Sequence, residues 1–350
     1  MIPMNIYHYP AECVPDGRYG ATIGFFDGVH RGHQFLLGQL REECSSRGLK
    51  SMVITFDRHP RQVTGIVGHG DRNIDPSLGQ VPVPMTQWEP QLLTTLEERV
   101  ALLAQTGIDA VVVLGFDSMM ASLTARQFMA DVLRDRLHVG LLLTGYDHRF
   151  GHDRRESFAD YVGYGQELEM EVVGAPPLRM ERAAVQIGQP TKQEEETMRT
   201  FSSSVVRQLL AEGDVSSAAE CLGRYYSISG HVVHGEHKGH GLGFPTANLV
   251  SNEPLKLIPA RGAYAVEVLL TNGTRHHAMT NIGTRPTFHG EQQTLETHIF
   301  DFTQDIYNQP LTVTFVARLR DEMFFPSPEA LASQLAEDRL KAEEILASKG

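Results

Sequence analysis

Two stretches of this sequence hold residues whose types and spacing can do chemistry. The first is IGFFDGVHRGH, residues 23–33. Asp27-Gly28 turns the chain after an apolar run, and His30 and His33 follow. Three residues apart on a helix, two imidazoles face the same way. A helix starting there offers free N–H groups and a partial positive charge, which suits a phosphate. Two imidazole donors aimed at that phosphate can stabilise the charge that grows as a nucleotidyl group is transferred. Gly32 lets a phosphate come close to the backbone. A bare HxxH also occurs on ordinary surface turns, so the position directly after a strand is what gives the motif weight.

The second stretch is GHVVHGEHKGHGLGFPTANL, residues 230–249. His231, His234, His237 and His240 recur every three residues, which invites a zinc reading. Gly235, Gly239, Gly241 and Gly243 would break any helix that aligned them. The better use of such glycines is a loop whose N–H groups surround phosphates. A third, shorter stretch is FSSSVVR, residues 201–207. Its serines can cap a helix starting near 204, and Arg207 is a permanent bidentate phosphate donor.

The elements that must position these residues change character along the chain. Residues 19–26, 51–56, 109–115 and 139–145 read as apolar strands, and 31–47 and 124–138 as helices. In the first helix Leu36, Leu40 and Cys44 form the apolar stripe, and Gly48 is the stop. Thr95 and Glu98 form a capping box opening a helix that runs to about 106 and is closed by Gly107. Strands that are apolar throughout, alternating with helices, imply a parallel sheet covered on both faces. Residues 62–90 read as a long loop, and 181–200 is polar, but the strongly patterned 201–222 that follows puts the domain boundary after 222 rather than at a linker there. After about 222 the texture becomes antiparallel: segments near 225–234, 263–270, 277–283, 294–301 and 311–319, with Asn272-Gly273 as a hairpin signal. A final helix opens at Ser327-Pro328, with Leu331, Leu335, Leu340 and Ile345 as apolar positions. The expected fold is α/β plus all-β. Residues 1–222 form a Rossmann-like domain with a parallel sheet, and 223–350 an antiparallel Greek-key-like β-barrel with a C-terminal helix.

At this point the sequence resembles a known family. GxFDGVHxGH is similar to the signature of the flavin adenylyltransferase module of bacterial bifunctional FAD synthetases, which combine a riboflavin kinase with an FMN adenylyltransferase. TFDRHP (55–60), GYDHRFG (145–151) and FSSSVVR resemble further segments of that module, with Arg58 for a proline, His148 for an aromatic and Ser204 for a threonine. GFPTAN (243–248), NIGTRPTF (281–288), LETHIFDF (295–302) and ARLRDEMFF (317–325) resemble the riboflavin kinase module. The resemblance spans roughly 14–222 and 223–345. It implies a Rossmann-like nucleotidylyltransferase domain and a riboflavin-kinase barrel. It also implies ATP as co-substrate, riboflavin, FMN and FAD as substrates and products, and Mg²⁺ as cofactor.

The implied roles fall on particular residues. His30 and His33 are catalytic in adenylyl transfer. Gly24, Phe26, Asp27, Gly28, Gly32, Ser203, Ser204 and Arg207 lie on its nucleotide side. Asp57, Asp147 and Phe150 are flavin contacts. Gly235, Lys238, Gly239 and Gly243 cradle kinase phosphates, and Thr246 and Asn248 hold Mg²⁺. Glu296 is the general base that accepts the proton of the ribityl 5′-hydroxyl. Alternatives stay open: a chain with only the kinase module active, a flavin-binding sensor without turnover, or a nucleotidylyltransferase for another substrate.

Composition narrows the field. The chain has 350 residues and a net charge of -12, from 31 Lys+Arg against 43 Asp+Glu. That balance repels a polyanion, so generic nucleic-acid binding is excluded while a local anion pocket is not. Cys13, Cys44 and Cys221 are the three cysteines, widely spaced and odd in number, which argues against a disulfide scaffold. No signal peptide and no membrane-spanning run is read, so a cytoplasmic location is expected. No obligate protein partner is evident.

Overall fold

The computed structural model of the chain describes residues 4–12, 17–59, 63, 91–145, 148–152, 155–176, 178, 201–234, 244–287 and 290–349. The loop expected at 62–90 (residue 63 aside) and the polar stretch 181–200 lie outside the described residues. The chain divides into two compact units, Met1–Ser203 and Ser204–Gly350.

The first unit is built on a six-stranded sheet in the order β1-β4-β3-β2-β5-β6, parallel throughout. Its strands are β1 (Asn5–Tyr9), β2 (Tyr19–Ile23), β3 (Lys50–Phe56), β4 (Ala110–Leu114), β5 (Val139–Thr144) and β6 (Glu171–Gly174). The four inner strands are buried almost throughout, as their unbroken apolar sequences require, whereas the edge strands β1 and β6 are partly exposed. One face of the sheet packs under Leu37, Leu40 and Cys44 of α1 (Arg31–Arg47) and Leu103 of α2 (Leu96–Ala104). The other packs under Phe128, Met129 and Leu133, and Tyr161 of α4 (Phe158–Glu167). A short α3 (Ser118–Ser122) precedes them. Of the stripe expected on α1, Leu40 and Cys44 hold, but Leu37 and not Leu36 is fully buried.

Local signals behave as their chemistry demands. The Thr95/Glu98 capping box opens α2, and Gly48 ends α1 at φ 65° with its N–H on the Cys44 and Ser45 carbonyls. The helix expected over 124–138 is instead a capped turn, Ala125–Gln127, running into a π-helical stretch, Phe128–Arg134. The strand order reverses between β2 and β5. In an open α/β sheet, the crevice beyond the strand ends at such a switch is where ligands bind. The segment carrying His30 and His33 leaves the end of β2 at that switch.

In the second unit two helices, α5 (Ser203–Glu212) and α6 (Val215–Leu222), precede a closed barrel. Its strands run β10-β11-β8-β7-β12-β9: β7 (Tyr226–Val233), β8 (Ala247–Ser251), β9 (Gly262–Leu270), β10 (Arg275–Thr287), β11 (Gly290–Ile299) and β12 (Pro310–Arg320). All described pairings are antiparallel. β8, half-exposed and only five residues long, carries no strand signal of its own. Gly273, at φ 82°, closes the expected hairpin. The compact unit starts at Ser204, ahead of the change of texture at 222, because α5 and α6 bond to the barrel. The Arg318 guanidinium donates to the Glu212 carbonyl (2.9 Å), and Ser216 Oγ donates to the Val316 carbonyl (3.3 Å). The closing helix α7 (Pro328–Ala347) is capped by Ser327 as expected. Leu340 is 67% exposed, however, and the buried positions are Asp338, Ala342 and Leu346.

Candidate functional sites

Beyond Ile23 the chain of the first unit turns sharply. Phe26, Gly28 and Val29 have φ values of 56°, 78° and 39°. Phenylalanine and valine avoid this region, so the turn must be held from outside. Asp27 holds it. Its buried carboxylate accepts from the Leu93 N–H, the Thr94 N–H and the Thr94 hydroxyl, each at 3.0 Å. The Gly28 N–H donates to Thr94 Oγ1 at 3.0 Å, and the Gly24 N–H to the Ile54 carbonyl at 3.0 Å. Ser203 Oγ donates to the Asp27 carbonyl at 2.8 Å.

The turn delivers His30 as the N-cap of α1, its Nδ1 accepting from the His33 N–H at 3.3 Å. In a neutral ring that leaves Nε2 as the donor. The two rings stack with centroids 3.6 Å apart, and Phe26 meets His33 edge-on at 5.1 Å. Burial holds His33 well below its ordinary value of 6.5, with His30 and His148 adding to the effect. Its Nδ1 is buried without a hydrogen-bond partner among the described residues. The result is a pair of close imidazoles, one held neutral, at a helix N-terminus. They can donate hydrogen bonds to an anion there and take up charge as it develops.

Several expected site residues have structural work in this geometry. The Asp27 carboxylate is occupied by Leu93 and Thr94. Asp57 Oδ1 accepts from the Phe116 N–H (2.9 Å) and the Arg58 N–H (2.8 Å), tying the ends of β3 and β4. Phe150 is core, stacked on Tyr161 at 4.4 Å. A Cβ on Gly32 would lie 2.8 Å from the Phe201 carbonyl, so that glycine makes room for the 201–203 segment. Asp147 lies outside the described residues. Ser204, exposed, and Arg207, half-buried, lie on α5 in the second unit.

Sequence reading missed Arg99. It is 1% exposed, donates to the Phe56 carbonyl at 2.6 Å and lies 4.1 Å over the Phe25 ring. Burial pulls its pKa down to about 10, while Asp27 and Asp57 act in the opposite sense. The available signal was its spacing four residues before the buried Leu103, on the core side of α2.

The second unit's candidates sit on strands. Glu296 of β11 is directly opposite Asn248 of β8 on one side and Asn281 of β10 on the other. Directly opposed residues share a face with Cβ atoms roughly 5 Å apart, so the carboxylate stands between two carboxamides. Glu296, Asn281 and Thr246 line a cavity of about 290 Å³ whose other walls include Phe244, Met279 and Phe325. Apolar and aromatic walls with a few convergent polar groups are the make-up of a small-molecule site. A second cavity of about 450 Å³ lies against Pro245, Thr246, Ala247, Thr297 and Tyr307. Thr246 therefore belongs to the walls of both. The Thr246 hydroxyl and the Asn248 amide carbonyl are hard oxygen donors, the type Mg²⁺ takes alongside water and phosphate oxygens. Gly235, Lys238, Gly239 and Gly243 lie outside the described residues.

His298 and Asn281, both within stretches read as motifs, emerge as cavity residues only here. His298 Nδ1 is 2.8 Å from the Pro245 carbonyl, and burial lowers its pKa against the opposing pull of that bond. Arg320 and the buried Asp338, paired at 2.8 Å, close the same cavity beside α7.

Residues 16–188 match the family model for FAD synthetase, and residues 222–346 the one for riboflavin kinase. A protein of Escherichia coli K12, named bifunctional riboflavin kinase/FMN adenylyltransferase, is 36% identical over 326 residues, covering 93% of this chain and 91% of its own. A protein of the same name from Haemophilus influenzae is 32% identical, with 91% of each chain covered. A crystal structure named as a macrolide-efflux protein of Streptococcus pneumoniae superposes with a TM-score of 0.79 at 28% identity, covering 97% of this chain and 99% of its own. Among the described residues no helix is long and apolar enough to cross a membrane.

Proposed function

The chain belongs to the family of bifunctional riboflavin kinases/FMN adenylyltransferases, and from that premise we propose which of its residues carry each reaction. The enzyme phosphorylates riboflavin with ATP to give FMN. It then transfers AMP from a second ATP to FMN, giving FAD and pyrophosphate. The kinase module is 223–350 and the adenylyltransferase module 1–222. The matched spans support this division.

In the kinase step riboflavin enters the smaller cavity with its 5′-hydroxyl at Glu296. The triphosphate of ATP reaches Thr246 from the larger one. Glu296 takes the hydroxyl proton as that oxygen bonds to the γ-phosphorus, and ADP leaves with the bridging oxygen. Thr246 and Asn248 would hold Mg²⁺, which would supply charge neutralisation on the phosphates. Lys238 and the backbone at Gly235, Gly239 and Gly243 cradle the same phosphates. The observation that carries this reading is the position of Thr246 in both cavity walls, with Glu296 in one.

In the adenylyl step an FMN phosphate oxygen attacks the α-phosphorus and pyrophosphate departs. His30 and His33 donate to the phosphates and stabilise the charge that develops. Gly32, Ser203, Ser204 and Arg207 are assigned to the triphosphate, while the Gly28 N–H, given to Thr94, holds the turn. Gly24, Phe26 and Asp27 serve by shaping the turn. Asp147 contacts the flavin, and Asp57 and Phe150 support that wall. A cytoplasmic setting, in line with the scattered cysteines, completes the proposal.

One incubation tests it: the protein with riboflavin, ATP and Mg²⁺, flavins separated by chromatography over time. The expected course is transient FMN followed by FAD. FMN that accumulates while added FMN stays unchanged would sink the adenylyltransferase assignments. No conversion of either flavin would favour a binding protein without turnover.

A further inference from the structure

We propose that His298 is a positioning residue of the kinase reaction: its Nδ1–H holds the Pro245 carbonyl and so places the Thr246 hydroxyl between the two cavities. The inference rests on the assignment of Thr246 to the phosphate and metal side. The ladder between β8 and β11 runs through Leu295↔Leu249, Glu296↔Asn248 and Thr297↔Ala247, and no further pair follows. The next pair in register would be His298 with Thr246, where backbone pairing has stopped. Pro245 has no N–H, so its carbonyl is the one backbone group by which it can be tied.

The His298 ring takes over where the ladder ends, 2.8 Å from that carbonyl. A carbonyl only accepts, so the proton must sit on Nδ1. The ring is 6% exposed and wedged against Phe244 (5.1 Å) and Phe300 (5.8 Å), so it has little freedom to swing away. Its Nε2 is buried without a hydrogen-bond partner among the described residues. The polar engagement of the ring, two residues along β11 from Glu296, is therefore with Pro245, one residue before Thr246. A small misplacement of a group that orients phosphates has a large effect on rate.

The test compares three variants of the full chain. His298→Phe keeps the ring and loses the donor. His298→Asn can place an amide N–H near the Nδ1 position, and His298→Gln places one near Nε2. For His298→Phe we expect kcat for riboflavin phosphorylation to fall, and KM for ATP·Mg²⁺ to rise, by roughly tenfold in combination. FMN-to-FAD conversion should stay unchanged. His298→Asn should recover most of the loss and His298→Gln should not. Wild-type kinetics in His298→Phe, or rescue by Gln and not by Asn, would overturn the proposal. Should the Phe variant fail to bind riboflavin for want of folding, the contrast between the two amide variants decides. Thr246→Ala is assayed alongside. An unchanged KM for ATP there would sink the underlying assignment, whereas an impaired Thr246→Ala with no Asn rescue would sink this inference alone.

Discussion

In the first unit the imidazoles proposed for adenylyl transfer sit on a turn and the first turn of a helix. In the second the carboxylate proposed as the kinase base sits mid-strand in a barrel wall. The turn is strained at Phe26 and Val29 and stays in place because Asp27 and Thr94 pin it through side-chain hydrogen bonds. Glu296 needs no such pin, because strand register sets it between Asn248 and Asn281. Both arrangements put the working group on a supported scaffold, yet they fail differently. Loss of a staple lets a turn relax into an easier conformation. A barrel strand cannot shift register without turning its whole core face outward. The second unit depends on support at its edge, where the ladder stops and the His298 ring takes over.

Separate sites make the largest expected effect reciprocal. Glu296→Gln should lower FMN formation by roughly 10²–10⁴-fold and leave FMN-to-FAD conversion intact. His33→Gln should lower FAD formation by roughly 10²–10³-fold and leave riboflavin phosphorylation intact. Steady-state assays of each half-reaction check this, and a variant that damages both would break the division of labour.

The next effect is on stability. Asp338→Asn leaves Arg320 facing a neutral partner in a largely buried pair and should cost about 3–5 kcal/mol in urea unfolding. Asp27→Asn keeps one acceptor oxygen of the staple and should cost about 1.5–3 kcal/mol. If Asp27→Asn lowers FAD formation far more than it lowers stability, the staple matters chiefly for geometry, which sharpens the contrast.

A smaller effect follows pH. His33 and His298 are both held below 6.5 by burial. The unfolded chain therefore binds protons that these folded rings refuse, and stability falls as the pH drops below 6.5. Above that value the rings are neutral in both states and contribute no slope. His33→Gln should flatten the fall of the melting midpoint between neutral pH and about pH 5. An unchanged slope would mean that the ring protonates freely in the folded unit. The smallest effect is Phe324→Ser. That side chain is 92% exposed, and the change should move stability by no more than about 0.5 kcal/mol.

Local chemistry made much of this legible in advance. His30 and His33 were readable because a turn, a helix start and a three-residue spacing are all short-range. The same holds for the Thr95/Glu98 box, the Gly48 stop and the Ser327 cap, each completed within four residues. Residue 222 was readable as a change of texture, but it did not show which unit α5 and α6 pack with. Which side of α1 is buried was out by one position, Leu37 for Leu36, because helical periodicity tolerates that error until a sheet is present to choose. Leu340 failed for a related reason: α7 buries Asp338 against Arg320, and that ion pair orients the helix.

The sequence by itself determined which side chains stand where, imidazoles at a helix start and a carboxylate on a barrel strand, along with the elements that carry them. The tertiary structure decided what each group is free to do. Asp27 looks like a nucleotide contact until Leu93, 66 residues away, is seen to claim its carboxylate. Arg99 looks like surface until β3 and Phe25 close over it, and His298 looks like any strand residue until the ladder ends beside it. Periodicity and caps are settled between near neighbours, whereas burial, register and hydrogen-bond partners are settled by segments that meet only once the chain has folded.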